Sequence, residues 1–357
     1  MKIAPLYMML SLNTNKYQPE IIHTGQHYDD KMSKLFFDNL GMPQPSAYLK
    51  VGSGTHGQQT ARIIERYDDL ILSGNKPDMV VVAGDVNSTI ACALVAKKLQ
   101  IPVAHLEAGL RSYDNRMPEE INRVLTDRIS DILLTPSIDG DENLLKEGVD
   151  PAKIHLVGNI MIDSLIEHKE KARLSTIKDL IGLHGDEPYV LITLHRPSNV
   201  DEYEGLFMLL NAFQEIGTRM KMVFPMHPRT RKNIERLGLS DLLNSIQNII
   251  VTEPIGYLDF LKLQMEARLV LTDSGGIQEE TTFFGVPCLT LRDNTERPIT
   301  INQGTNQLVK LESDAIVTVV EKVLGGDVKI GTIPEYWDGK TAGRVVQVIN
   351  QWFNRNS

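Results

Sequence analysis

Residues 273–280 (DSGGIQEE) form the pattern with the clearest chemical meaning in this sequence. They follow the apolar run ARLVLT and precede IQEETTFF, which has helical spacing. Gly275 and Gly276 would leave backbone N–H groups uncovered at a helix start, and such groups bind anions. The pattern therefore predicts a phosphate or diphosphate site that includes Ser274. The alternative is a plain strand-to-helix turn in which Ser274 is the N-cap. Arg297, in the downstream segment RDNTERP, is a further candidate for an anionic ligand.

Carboxylates follow two other apolar runs. Asp85 lies in GDVNST after MVVVA, and Glu107 lies in HLEAGLR at the end of the next run. Glu119 lies in MPEEINR, where a proline and two acids open a predicted helix. Acids in different surroundings acquire different pKa values and can serve as an acid and base pair. We predict that the three carboxylates converge on one site, while a favourable helix-dipole arrangement is the alternative for Glu119.

Cationic side chains follow two runs in the second half of the chain. His195 and Arg196 come after YVLITL, and His227 lies in PMHPR after the next run. We interpret His195 as a contact to a phosphate or to a leaving group. Residues 52–57 (GSGTHG) match GxGxxG by letter, but a dinucleotide site also needs an acid that ends a second strand about 20 residues on. The acids found there lie within a helical pattern, which favours a loop over an NAD site.

These residues must be positioned by elements that alternate along the chain. Short runs rich in β-branched residues are separated by helix-length segments, and this predicts α/β, doubly wound parallel sheets. In such sheets ligands bind outside the carboxyl ends of the strands. The candidate strands are residues 20–23, 47–51, 79–83, 103–106, 132–135, 153–157, 189–194, 222–226, 249–252, 269–272 and 288–291.

The length and the number of strands indicate more than one domain. At roughly 150 residues per domain, 357 residues favour two domains. The candidate strands are too many for one open sheet of this size, so we place the boundary after the strand and turn at 154–159. Residues 342–353 have helical spacing at Val345, Val348, Ile349 and Trp352, which predicts a C-terminal amphipathic helix.

Composition excludes several classes of protein. Lys and Arg total 37 against 46 Asp and Glu, a net charge of −9, which argues against a general nucleic-acid or anionic-membrane surface. Cys92 and Cys288 offer neither a disulfide framework nor a zinc site, so we expect a reducing, cytoplasmic compartment. No apolar run reaches the roughly 18 residues of a membrane span. The start, MKIAPLYMMLSLNTNKY, reads as an amphipathic helix rather than as a signal peptide.

Taken together, the motifs resemble those of the non-hydrolysing UDP-N-acetylglucosamine 2-epimerases over nearly the whole chain. HTGQHYD (23–29), GDVNST, HLEAGLR, MPEEINR, VGN, LHR, DSGGIQEE and RDNTERP occur in the family's order. The resemblance implies two Rossmann-like doubly wound domains (glycosyltransferase-B-like) with the active site in the cleft between them. It implies an N-terminal domain of residues 1–156 plus a returning helix at 341–357, and a UDP-binding domain of residues 157–340.

The resemblance also implies a reaction. It is the reversible C2 epimerisation of UDP-N-acetylglucosamine to UDP-N-acetylmannosamine, by elimination of UDP to a glycal and readdition, which supplies polysaccharide precursors. That chemistry needs no metal and no cofactor, and the resemblance implies a homodimer in the cytoplasm. GDVNST and HRPSN differ from the GDTTT and HRRE forms common in enzymes of the simple sugar. A 2-epimerase of a UDP-2,3-diacetamido uronic acid sugar is therefore an alternative, as are a nucleotide-sugar glycosyltransferase of the same fold and a non-catalytic nucleotide-sugar binder.

Site residues carried over by motif fall into three groups. The catalytic group is Asp85, Glu107, Glu119 and His195. The UDP-binding group is Lys2, Phe260 beside the base, Ser274, Gly275, Gly276, Glu280 at the ribose hydroxyls, and Arg297. A second, regulatory substrate site is implied at Gln26, His27, Arg62 and His227.

The beginning of the chain departs from the family's pattern. Members usually begin with an apolar strand and a Gly-Thr-Arg-Pro-Glu turn, whereas this sequence begins Met1-Lys2-Ile3-Ala4-Pro5. We therefore expect the first strand of the N-terminal domain to be missing and the arginine of that turn to have no counterpart, with consequences for the activity of this chain.

Overall fold

All strand pairings in the part of the chain that the structure describes are parallel. The structure is a computed structural model that describes residues 2–25, 41–74 and 76–356. The strands are β1 (Ile22–His23), β2 (Ala47–Tyr48), β3 (Val80–Ala83), β4 (Val103–Leu106), β5 (Ile132–Thr135), β6 (Ile154–Leu156), β7 (Tyr189–Thr193), β8 (Lys221–Pro225), β9 (Ile249–Thr252), β10 (Leu269–Thr272), β11 (Cys288–Leu291) and β12 (Asn306–Val309). The parallel α/β class predicted from the alternating pattern is confirmed.

Helices connect nearly all of these strands. They are α1 (Ala4–Ser11), α2 (His56–Ser73), α3 (Asn87–Lys98), α4 (Pro118–Ile129), α5 (Ile138–Lys146), α6 (Ile160–Arg173), α7 (Ile177–Leu180), α8 (Pro197–Val200), α9 (Tyr203–Gly217), α10 (Pro228–Arg236), α11 (Ser240–Ser245), α12 (Tyr257–Glu266), α13 (Gly275–Phe284), α14 (Pro298–Asn302), α15 (Ser313–Leu324) and α16 (Thr341–Asn356). In the described ranges, no helix is both long and apolar enough to cross a membrane.

The chain divides into two compact units. Unit 1 comprises Met1–Ser164 and Glu335–Ser357, and unit 2 comprises Leu165–Pro334. Residues 157–164 and 335–340, which the sequence analysis assigns to the second domain, are thus part of unit 1. The chain enters unit 2 within α6 and returns to unit 1 before α16.

Unit 1 contains two sheets whose strands carry apolar side chains toward two cores. β1 pairs with β2, and the larger sheet has the order β3-β4-β5-β6. On β4, Val103 packs into a core with helices α2 and α3, whereas Ala104 and Leu106 face a second core. Helix α16 contributes Val345 to that second core, and α1 contributes Leu6. Both faces of the sheet are covered, which explains why the strand sequences are almost continuously apolar.

Polar contacts fix the returning segment to unit 1. The carboxylate of Asp163 accepts the N–H groups of Thr341 at 3.1 Å and Ala342 at 2.8 Å, so it caps the start of α16. The buried Trp337 donates from Nε1 to the Pro136 carbonyl at 3.0 Å. Free N–H groups at a helix start need such acceptors, and Asp163 supplies them from α6.

Unit 2 contains a six-stranded sheet with the order β12-β11-β10-β7-β8-β9. From β7 the chain builds outward through β8 and β9, and it then crosses back to add β10, β11 and β12 on the other side. The strand order therefore reverses between β7 and β10. In doubly wound sheets this switch point leaves a crevice at the carboxyl ends of the two strands, and ligands bind there.

Candidate active site

The residues that follow β7 and β10 meet at the switch point of unit 2. Thr193 of β7 is opposite Thr272 of β10, so His195 and Asp273 follow side by side. The fully buried Asp273 accepts the backbone N–H of His195 at 3.0 Å and of Arg196 at 2.8 Å. It also lies 3.0 Å from Nδ1 of His195 and accepts Asn199 Nδ2 at 3.2 Å. The carboxylate thereby orients the His195 ring.

A second histidine lies beside His195 at the end of β8. The ring centroids of His195 and His227 are 5.8 Å apart. His227 accepts the backbone N–H of Arg229 on Nδ1 and so caps α10. Burial, together with the charges of His195 and Arg229, lowers the pKa of His227. Both histidines line a cavity of about 140 Å³ whose remaining walls are Thr193, Pro225, Pro254, Ile255 and Phe260.

Helix α13 begins at Gly275, two residues after Asp273, with the two predicted glycines. Ser274 occupies the N-cap position, but its side chain makes no capping hydrogen bond. A Cβ atom at Gly276 would meet nothing within 4 Å, so the helix start is open there. At Gly275 a Cβ atom would lie 2.5 Å from Arg297 Nη1 and 2.6 Å from Glu296 Oε1. The first turn thus presents N–H groups without a side-chain cap, which is the arrangement that binds anions.

Arg297 belongs to a buried ionic cluster beside this turn. Its guanidinium is paired with Glu296 and lies 2.8 Å from Glu279 Oε1. Glu296 also accepts Arg292 Nη2 at 2.8 Å. Arg297 was predicted from its motif, whereas the two glutamates that hold it were not, although Glu279 lies in DSGGIQEE and Glu296 in RDNTERP.

Glu280, which follows Glu279 on α13, is also buried, and its donors among the described residues are neutral groups. It accepts the Tyr257 hydroxyl at 3.3 Å, and the Gln264 amide, oriented to donate, lies 2.8 Å from Oε2. Burial raises the pKa of Glu280 to about 8, against the opposing effect of these hydrogen bonds and with a further rise from Glu279. Near neutral pH the side chain therefore mostly keeps its proton.

In unit 1, Asp85 follows β3 and is held by groups from α4. Arg123 is paired with the Asp85 carboxylate. Asn122 donates from Nδ2 to the Asp85 carbonyl at 2.9 Å. Arg123 is in turn held by Glu120 at 2.6 Å, and Glu120 accepts the backbone N–H of Ser112 at 2.9 Å. Arg123 and Glu120, both buried on α4, thus fix the position of the Asp85 side chain.

Glu107 follows β4 at the same sheet edge, because Leu106 pairs with Ala83. The side chain is buried and lies 2.6 Å from Lys2 Nζ. Its backbone has a φ of +69°, a conformation that costs a non-glycine residue free energy and that persists only where surrounding contacts enforce it. A Cβ atom on Gly84 would lie 2.8 Å from Lys2 Nζ, so this glycine makes room for the Lys2–Glu107 pair.

The other residues predicted for the catalytic and regulatory sites make different contacts or lie outside the described residues. Glu119 is half-buried in the first turn of α4, and its neighbour Glu120 is the residue that connects to Asp85 through Arg123. Arg62 donates to the carbonyls of Val51 and Ser53 in unit 1. Gln26 and His27 lie outside the described residues.

A buried polar group next to the turns that carry Asp85 and Glu107 was not predicted from the sequence. It consists of His105, Arg111 and Asp127, each at most 3% exposed. A signal for it does exist on α4, where Glu120, Arg123 and Asp127 recur at a spacing that places them on one helix face. Three charged residues on the buried face of a helix indicate a built polar site.

Two parallel α/β units, an open helix start at a topological switch point and paired acids at a second sheet edge define an α/β enzyme with a nucleotide-binding type of architecture. The model of the family described as UDP-N-acetylglucosamine 2-epimerase matches residues 11–350. The chain belongs to this family, as its motifs indicate.

Relatives of known name agree with this assignment. The UDP-N-acetylglucosamine 2-epimerase of Methanocaldococcus jannaschii is 42% identical over 98% of this chain and 95% of its own length. The UDP-2,3-diacetamido-2,3-dideoxy-D-glucuronate 2-epimerase of Pseudomonas aeruginosa is 44% identical over 92% of this chain and 90% of its own length. This chain also matches the crystal structure of the M. jannaschii protein in complex with UDP-GlcNAc and UDP. The match covers 98% of this chain and 96% of the crystallised chain, with a TM-score of 0.89.

Glu280→Gln should flatten the pH dependence of stability. The folded-state pKa of about 8 lies above the ordinary value of 4.5. Between these values the unfolded chain has lost a proton that the folded chain keeps. The stability associated with Glu280 is therefore complete at low pH and is lost as the pH rises through about 8. Urea unfolding across this range should show the variant gaining stability relative to the native chain as pH increases. Glu235→Gln, at an exposed position on α10, is the control. If the difference in unfolding free energy between Glu280→Gln and the native chain stays constant with pH, the pKa of Glu280 is not raised.

Proposed function

We propose that this protein interconverts UDP-N-acetylglucosamine and UDP-N-acetylmannosamine by inverting C2 of the sugar. Membership of the family carries the proposal, because relatives that match nearly the whole chain bear this activity in their names. The described geometry supplies the parts that the reaction needs, namely an anion-binding helix start and buried, paired carboxylates.

The chemistry explains why these parts are needed. The C2–H bond is not adjacent to a carbonyl, so its hydrogen is not acidic. When the C1–O bond breaks and UDP leaves with the bonding electrons, C1 acquires cationic character and the C2 proton can be removed. The C2–H electrons then form the C1=C2 bond of a glycal. A proton delivered to the opposite face of C2, with readdition of UDP at C1, gives the epimer.

In this proposal Asp85, Glu107 and Glu119 provide the acid and base, and His195 acts near the leaving diphosphate. The fixed positions of Asp85 and Glu107 support the first assignment, since proton transfer requires a group within hydrogen-bond reach of the reacting atom. Asp273 supports the second, because it fixes the orientation of the His195 ring. An imidazole N–H can donate a hydrogen bond to an oxygen of the departing phosphate.

We assign UDP binding to residues of unit 2, and Lys2 is proposed as a further UDP-binding residue. The open turn at Ser274, Gly275 and Gly276 would hold the diphosphate, with Arg297 as a cation beside it. Glu280 would accept the ribose hydroxyls, and Phe260, which lines the 140 Å³ cavity, would lie beside the base. Arg62 and His227, with Gln26 and His27, are proposed for a second, regulatory substrate site.

Gly276→Val should weaken UDP binding at least about tenfold, which corresponds to about 1.4 kcal/mol. The new side chain enters open space in the free protein, so the fold should tolerate it, but it would stand where the diphosphate approaches the backbone. Calorimetric titration with UDP measures the effect. Gly343→Val, at another open glycine in the first turn of a helix, should bind UDP normally. Equal affinity in all three proteins would refute the phosphate assignment.

Elimination and readdition must exchange the C2 hydrogen with solvent. In deuterium oxide the product should carry deuterium at C2 without added NAD, as detected by proton NMR. Replacing Asp85, Glu107 or Glu119 by the matching amide should lower kcat by roughly two to four orders of magnitude with a modest effect on UDP binding. Retention of the original C2 hydrogen, or near-normal turnover in all three variants, would sink the mechanism.

A second substrate has a specific observation in its favour. The Pseudomonas aeruginosa relative that is 44% identical acts, by its name, on a UDP-2,3-diacetamido uronic acid sugar. The chain is therefore also a candidate 2-epimerase for that substrate class. Turnover of the two UDP-sugars, measured separately without an acceptor, distinguishes the candidates and also separates an epimerase from a glycosyltransferase or a non-catalytic binder.

We further propose that the chain forms a homodimer and works in the cytoplasm. Cys92 and Cys288 are free thiols, as in a reducing compartment. Helix α4 exposes Ile121, Val124 and Leu125, which are 48%, 36% and 49% accessible and share one side of the helix. A second copy would cover this apolar strip.

Leu125→Asp should convert the dimer to a monomer in sedimentation velocity, because a carboxylate cannot be buried there without a partner. Leu180→Asp, at a position that is 78% exposed in unit 2, serves as the control. A monomeric native chain, or a Leu125→Asp variant that remains dimeric, would show that α4 does not form a dimer interface.

A further inference from the structure

His105 lies on β4 directly beneath the two acidic turns of unit 1 and is fully buried. Its ring is held at both nitrogens. Nε2 lies 2.8 Å from the carbonyl oxygen of Gly84, the residue before Asp85. Nδ1 lies 2.6 Å from Oδ1 of Asp127 on α4. The ring therefore connects the turn that carries Asp85 to a helix.

Both partners of the His105 ring are hydrogen-bond acceptors. A carbonyl oxygen can only accept a hydrogen bond, and the same holds for an ionised carboxylate. Burial acts to raise the pKa of Asp127, but His105 and Arg111 outweigh it and hold that pKa below its usual range. With Asp127 ionised, the two contacts of the ring are both hydrogen bonds when each ring nitrogen donates.

Asp127 also holds the turn that carries Glu107. Its Oδ2 accepts the backbone N–H of Gly109 at 3.0 Å and Arg111 Nη1 at 2.7 Å. Gly109 has a φ of +80°, and a Cβ atom on it would lie 2.4 Å from the Gly140 carbonyl oxygen. The chain from His105 to Gly109 is thus fixed at both ends by one carboxylate. Glu107, with its unfavourable φ of +69°, lies midway between these ends.

We propose that the buried His105–Asp127 pair, in which each ring nitrogen of His105 donates a hydrogen bond, is a positioning element that fixes Asp85 and Glu107 relative to one another. This inference rests on the proposed epimerase function, which requires one proton to leave C2 and another to arrive on the opposite face. Neither member of the pair touches the reacting atoms in this scheme. Each acts through the backbone, at Gly84 for Asp85 and at Gly109 for Glu107.

The charges around the pair are balanced by neighbours from each element packed against it. Arg111, after β4, bridges Asp127 and Glu147. On α4, one turn before Asp127, Arg123 joins Glu120 to Asp85. Lys2 faces Glu107. Removal of the Asp127 charge therefore leaves the His105 ring and Arg111 without the carboxylate that they share.

Asp127→Asn is the principal test. Every group that contacts the two carboxylate oxygens is a donor, and an amide offers only one acceptor end, so the variant must release either His105 or the Gly109 and Arg111 side. Asp131→Asn is the matched control. Asp131 accepts Val103 N–H at 2.9 Å and Lys97 Nζ at 2.8 Å at the opposite end of β4, and this pair is partly exposed.

The expected result is a fall in kcat of about 100-fold for Asp127→Asn, because a displacement of catalytic groups by about 1 Å has effects of this size. The KM for the UDP-sugar should change less than about threefold, and UDP should bind with unchanged stoichiometry, since the turn assigned to UDP lies in unit 2. Asp131→Asn should retain native kcat. A merely structural loss would instead lower the UDP stoichiometry and kcat together.

A spectroscopic measurement tests the hydrogen bonds of the His105 ring without any reaction. In ¹⁵N-histidine-labelled protein both ring nitrogens of His105 should carry protons, and the Nδ1–H should resonate far downfield. That signal should be absent in His105→Gln, which identifies it, and lost or shifted in Asp127→Asn. His105→Gln keeps the contacts of Asp127 to Gly109 and Arg111, so it should fold even if Asp127→Asn does not, and its kcat should also fall.

The experiments give different results when the positioning role is wrong and when the proposed function is wrong. If the function is wrong, the native chain itself does not exchange the C2 hydrogen of either UDP-sugar. If the positioning inference is wrong, the native chain exchanges it and the folded Asp127→Asn and His105→Gln variants do so at the native rate. A neutral His105 ring in the native protein would also overturn it.

Discussion

In each unit, the residues at the carboxyl ends of the larger sheet depend on one requirement. A carboxylate that is removed from water must receive hydrogen bonds from the protein. Asp273 meets it by accepting N–H groups from the loop after β7 while it belongs to the end of β10. Asp127 meets it with His105, Gly109 and Arg111. In each case the donors lie on a segment other than the one that carries the carboxylate, so satisfying the charge also fixes the two segments against each other. Burial raises the pKa of Glu280, whose donors among the described residues, Tyr257 and Gln264, are neutral.

Most of the fold follows from short-range patterns. The runs MVVVA and YVLIT are buried on both faces, and such runs form central parallel strands. Strand β12 was not predicted because its sequence, NQLV, begins with two amides. Asn306 is nevertheless buried, and its side chain binds Thr290 and Gln278 across the unit. A partner 28 residues away cannot be recognised from the strand's own composition.

The candidate site could be predicted only in part, for the same reason. Asp85 and Glu107 meet because adjacent parallel strands end at the same edge, which the strand predictions already require. The role of Glu120 was missed because both acids of PEE suit a helix start equally well, while only one faces Arg123. The i, i+3 spacing from Glu120 to Arg123 would have selected it. The His105–Asp127 contact joins a strand to a helix, and its geometry arises only when both are packed.

Gly109 has a consequence for how this chain can change over evolutionary time. Any nucleotide substitution that alters a glycine codon in its meaning either ends translation or adds at least one carbon atom, and here that atom would fall 2.4 Å from the Gly140 carbonyl oxygen. A replacement of Gly109 therefore requires the backbone at Gly140 to move as well. A single codon change at this position carries a steric cost that it does not carry at a glycine with open surroundings, such as Gly343.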